Sequence, residues 1–121
     1  MTRVFILIAG VMGGAGIVLA ALGAHGSDLA RLTTAASMLL FHAPVILALV
    51  LLKDRALVQR QLATAAAIGF AAGAALFAGD LTVRDLLGHA LFPMAAPSGG
   101  TILIGSWMLL ALAGLVARNS A

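Results

Sequence analysis

The side chain of this sequence best suited to chemistry is His42. It stands about nine residues into an apolar run, Thr33 to Leu52, which is ~13 Å along a helix axis at 1.5 Å per residue. An imidazole at such a place can bind a metal or cofactor, relay a proton, or anchor a small molecule. It can equally be a neutral ring bonded to a neighbouring helix. His25, in Gly23-Ala24-His25-Gly26, falls at the end of the preceding run, roughly a dozen Å shallower than His42 by the same rise. Two nitrogens that far apart do not share one ion, so no metal site is expected, and His25 is read as ending its helix. His89 falls on an interfacial segment. The four acidic residues are Asp28, Asp54, Asp80 and Asp85, with no Glu. Asp80 is expected to end the third apolar run, and Asp28 and Arg31 to be solvated loop residues. Ser37 and Ser106 sit in apolar runs without an acidic neighbour. There is no cysteine. No nucleophile with its base, no paired carboxylates and no phosphate-binding loop can be assembled, so neither catalytic residues nor a cofactor are expected.

The elements that hold these residues are four apolar runs, about 4–24, 33–52, 62–79 and 101–117. A helix needs ~20 apolar residues to cross ~30 Å of hydrocarbon, and only helices and closed barrels satisfy their backbone there. The expected fold is all-α: a four-helix transmembrane bundle forming a single integral membrane domain over residues 1–121. Composition agrees. Charged residues make up 9% and hydrophobic ones 63%, where a soluble domain carries about 25% charged residues. The high isoelectric point, about 11.3, rests on seven Lys and Arg scattered singly. No basic stripe of the kind that binds nucleic acid exists. The first apolar run is about 20 residues, longer than the ~7–15 of a cleaved signal's core, and is read as a retained helix. Arg3, Lys53, Arg55, Arg60 and Arg118 fall on one side of the expected topology and Arg31 and Arg84 on the other. The richer side, with both termini, is expected to be cytoplasmic.

Within the runs, Gly10 and Gly14 form a small-xxx-small pair, and Ala65, Gly69 and Gly73 repeat the device in the third run. Such faces let helices approach closely. The expectation is that helices 1 and 3 pack on each other; a contact between copies is the alternative. Thr33 or Thr34 is a reasonable cap for helix 2, and Pro44 frees the Leu40 carbonyl. The level of His42 corresponds to about Gly16 in helix 1, Gly69 or Phe70 in helix 3 and Leu110 in helix 4. Small residues there leave room beside the ring, so Gly16 and Gly69 join His42 and His25 as candidate ligand-binding residues. Leu81 to Phe92 carries Val83, Leu87 and Leu91 at i, i+4 spacing and is read as a short interfacial helix. Asp80 and Arg84 are placed to pair. Pro97-Ser98-Gly99-Gly100 reads as a loop before helix 4. Trp107 is too deep for an interfacial anchor and is read as packing, with an indole N–H that needs a partner.

Taken in order, Gly23-Ala24-His25-Gly26, Phe41-His42-Ala43, Gly79, Gly88, Pro97, Gly99-Gly100 and Gly105-Ser106-Trp107 resemble the YgdD-like family, small inner-membrane proteins of unknown function. Phe41 stands where that family usually has tyrosine, and Asp80 where it typically has serine. The resemblance implies four spans and a bacterial cytoplasmic membrane, points again to His25 and His42, and supplies no activity. The first expectation for function is a non-enzymatic accessory or packing subunit. Its partners would be the bilayer and either a second copy or a larger membrane complex. A small-molecule or ion-handling protein with its site at His42 is the second, and a redox component with His42 as axial ligand the third.

Overall fold

All four apolar runs form helices, each beginning before its run, although α4 stops at Leu115, two residues short of the end of its own. The computed structural model describes residues 1–118. In it α1 spans Thr2–Ala24, α2 Ala30–Asp54, α3 Arg60–Leu87 and α4 Ala95–Leu115. Each is long and apolar enough to cross a membrane. Short connections make sequential neighbours antiparallel. α1 packs on α2, α2 on α3 and α3 on α4; α1 barely touches α3, and the backbones of α2 and α4 do not meet. The inner helices α2 and α3 are therefore about twice as buried as α1 and α4. The core lies along their facing stripes, including Leu32, Ile46, Leu49, Ala63, Ala67, Phe70 and Ala74. The large apolar residues left outside, such as Leu7, Val11, Phe41, Ile104 and Leu115, face hydrocarbon in a bilayer.

Four expectations are corrected here. No separate interfacial helix covers 81–92: α3 continues unbroken to Leu87 and closes on Gly88, at a left-handed φ of 78°. The physical reason is Asp80. Its carboxylate is neutralised by Arg84 one turn on, so it does not end the helix in lipid, and Val83 and Leu87 belong to the last turns of α3. Helix 4 likewise starts earlier, at Ala95. Pro97 is its third residue, a position whose amide has no partner within the helix, and Gly99 and Gly100 lie inside it rather than in a loop. Helix 2 begins at Ala30, with Leu29 at its cap position and no side-chain cap from Thr33 or Thr34. Lastly, the glycines of α1 do not pack on α3. Gly16 and Gly23 face Leu40 and Thr33 of α2, while Gly10, Gly13 and Gly14 have nothing within 4 Å of where a Cβ would stand. The small face of α3 meets α4 instead, with Gly69 against Ser106 and Gly73 against Gly99 and Leu103.

Candidate functional site

His42 lies on the buried stripe of α2, with Leu39, Ala43 and Ile46, and is 5% exposed. Its Nδ1 lies 2.7 Å from the Met38 carbonyl one turn back, and its Nε2 lies 3.3 Å from Trp107 Nε1 on α4. A carbonyl only accepts and an indole N–H only donates. Nδ1 therefore carries the proton and donates to Met38, and Nε2 accepts from Trp107. This is the single tautomer that satisfies both partners. The bond joins α2 to α4 across a gap that their backbones do not close. Phe70 of α3 fills that gap. Its ring is 5.5 Å from the imidazole and 4.9 Å from the indole, edge-on to the latter, a favourable aromatic arrangement. Trp107 thus has the packing role and the N–H partner that its depth demands.

The other candidate residues lie elsewhere. Gly16 is buried against Leu40 and Ala36, and Gly69 is half-buried against Ser106. Neither leaves room beside the imidazole; Phe70 occupies that level. The exposed His25 closes α1, its Nδ1 2.8 Å from the Ala21 carbonyl, and His89 bonds to the Ala90 carbonyl. Among the described residues no three His or Asp side chains come together as a metal-binding group. For Nε2 of His42 to ligate an ion, the Trp107 indole must first withdraw.

A cavity of about 320 Å³ opens beside the pair, lined by Met38, His42, Phe77, Gly100, Leu103, Ile104 and Trp107. Its walls are apolar apart from the adjacent acceptor and donor of His42 and Trp107. Replacing His42 separates the roles of the two nitrogens. His42→Gln places an amide oxygen near the Nε2 position and should keep the Trp107 bond at a cost of about 1 kcal/mol. His42→Ala strands the indole N–H and empties the ring's volume, for about 2–3 kcal/mol. Unfolding in detergent, followed by fluorescence of the single tryptophan, reads both. Equal losses would show that the Trp107 bond contributes nothing.

Two buried carboxylates at the end formed by loops 25–29 and 88–94 were less legible in the sequence. Asp80 is fully buried. Its Oδ2 accepts from Arg84 Nε at 2.9 Å and its Oδ1 from the Leu91 amide at 2.8 Å, pinning the connection to α4. Asp85 accepts from Arg31 at 3.2 Å and from the Leu32 amide at 3.0 Å. It supplies from α3 the cap that α2 lacks. Arg31 is thus an ion-pair partner and not a free loop residue. The i, i+4 spacing of Asp80 and Arg84 was a usable signal for the first pair. The second joins residues 54 apart, and no local pattern announces it.

No curated protein and no solved structure matches the chain. A family model described as "Protein of unknown function (DUF423)" matches residues 19–100, a segment that holds His25, His42, Asp80 and Asp85. With more than half its length matched and four candidate membrane spans, the chain belongs to the DUF423 family, the YgdD-like small membrane proteins.

Proposed function

We propose that this chain is a non-enzymatic subunit of the bacterial cytoplasmic membrane that works by lateral packing against another membrane helix. One observation carries the reading: among the described residues no buried side-chain nitrogen or oxygen lacks a hydrogen-bond partner. His42, Asp80 and Asp85 spend their bonding capacity on holding the chain's own helices and connections. Unpartnered faces remain on both outer helices; that of α1 has a small-residue pair, with Gly10 and Gly14 beside exposed Leu7, Val11, Ile17 and Val18. Small residues flanked by branched ones favour close helix pairing in lipid. The end bearing Arg3, Lys53, Arg55 and Arg60 faces the cytoplasm, in keeping with the excess of positive charge there.

The absence of cysteine makes the test direct. A single cysteine at Val11, labelled with a photoactivatable maleimide, should cross-link to a neighbouring helix in native membranes, and one at Arg118 should be labelled only from the cytoplasmic side. Adding Gly14→Leu should remove the cross-link and leave the unfolding temperature unchanged, since no atom lies within 4 Å of its Cβ position. If no cross-linked species forms, the packing role fails.

A second reading is favoured by the cavity beside Trp107. Its neighbouring acceptor and donor suit an apolar molecule with one hydroxyl group. The hydroxyl would insert between the two rings, replacing the Trp107–His42 bond by donating to His42 Nε2 and accepting from the indole N–H.

A further inference from the structure

The four cations Arg3, Lys53, Arg55 and Arg60 stand apart from the rest of the chain's charge. At the opposite end Arg31 and Arg84 each hold an aspartate. Among the described residues none of these four has an acidic partner. Four cations with only the Asp54 carboxylate near them in the chain, at one end of a small bundle, repel one another unless further anions arrive from outside. Between them lies a cavity of about 320 Å³, lined by Met1, Thr2, Lys53, Asp54, Arg60 and Thr64. It is formed where the start of α1, the end of α2 and the start of α3 come together. Lys53 is held in place: its stem is half-buried, and its ammonium sits 5.6 Å from the centre of the Phe5 ring on α1. Lys53 and Arg60 against Asp54, with the Met1 amino group beside them, give the lining a net positive charge.

We infer that this cavity is a binding site for the headgroup of an anionic phospholipid, whose phosphodiester lies between Lys53 and Arg60. The inference is independent of the packing role proposed for α1. Three features of the site specify the ligand. The cavity lies at the ends of membrane-spanning helices, the level at which lipid phosphates stand. The negative charge of a phosphodiester offsets that positive excess, whereas a zwitterionic lipid brings no net negative charge to it. The hydroxyls of Thr2 and Thr64 suit an uncharged polyol head such as glycerol. Exposed Val4, Leu51 and Leu57 lie close by along the chain and offer apolar surface for acyl chains. Basic pockets between helices commonly recruit anionic lipids in this way.

The test uses the full chain in mild detergent with equimolar phosphatidylglycerol, phosphatidylethanolamine and phosphatidylcholine, and reads retained lipid by native mass spectrometry. Phosphatidylglycerol should be retained preferentially. Arg60→Gln and Lys53→Gln should each lower that preference about fivefold. Arg55→Gln removes the same charge outside the cavity lining and should leave the preference intact. An equal effect of Arg55→Gln would mean bulk surface charge and overturn the site. Equal retention of all three lipids, or of phosphatidylethanolamine with phosphatidylglycerol, would also overturn it. Displacement of the lipid by millimolar inorganic phosphate would overturn the lipid assignment in favour of a free anion. Should Lys53→Gln fail to fold for want of its Phe5 contact, Arg60→Gln decides alone.

Discussion

Asp80→Ala should destabilise the protein by about 1–3 kcal/mol, the loss expected when a buried acceptor is taken from its donors while the partner Arg84 stays within reach of solvent. The carboxylate is fully buried and serves two donors. Without it the Arg84 guanidinium loses its counter-ion and the Leu91 amide its acceptor. The effect should also be local. Residues 88–94 connect α3 to α4 and depend on Asp80 to hold them down, so limited proteolysis should cut there first. Asp80→Asn keeps a neutral acceptor for Leu91 and should recover roughly half of the lost stability. Thermal unfolding in detergent measures both. A loss below about 1 kcal/mol for the alanine variant would show that Asp80 is solvated and not the tether described above.

Gly99→Ala should be the most damaging single methyl group that can be added to the helix interfaces, at about 3 kcal/mol. A Cβ there would lie 2.7 Å from the Phe77 backbone nitrogen and 2.9 Å from the Gly73 carbonyl oxygen. Both are main-chain atoms of α3, with no rotamer to change, so α4 must back away along its whole contact. At Gly69 the obstacle is the Ser106 hydroxyl and at Gly16 the Leu40 side chain, and side chains can turn aside. Gly105, with nothing within 4 Å, is the control: alanine there should be neutral or mildly stabilising through helix propensity. If Gly99→Ala and Gly105→Ala unfold at the same temperature, α3 and α4 do not approach as closely as described.

The four spans were legible because lipid imposes one rule on every residue of a run, and Val4 to Ala24 or Thr33 to Leu52 satisfy it by composition alone. Helix ends were not, because they depend on partners. Asp80 looks like a stop until Arg84 and Leu91 are placed around it. Pro97-Ser98-Gly99-Gly100 looks like a loop until Gly99 is seen pressed on Phe77. The small-residue spacing of α3 correctly announced a close contact but could not say with which helix. In α1 the Gly10 and Gly14 spacing did not distinguish a face turned to α2 from one turned outward. At the candidate site, the depth of His42 and the need of Trp107 for an acceptor were both readable. Their union was not, since it joins residues 65 apart on helices whose backbones never touch.

The Asp85 cap has a temporal side. The Leu32 amide, at the start of α2, donates locally to the Leu29 carbonyl at 3.1 Å and also to a carboxylate 53 positions later, at 3.0 Å. During synthesis the second span therefore emerges with only the local bond at this amide, and the last turns of the third span bring the charged acceptor. A nascent chain halted before residue 85 is unfinished at its second helix, not merely short of its fourth. The start of the second helix is thus reinforced retroactively, through Arg31 and Leu32, by sequence that the ribosome has yet to deliver when the first hairpin inserts.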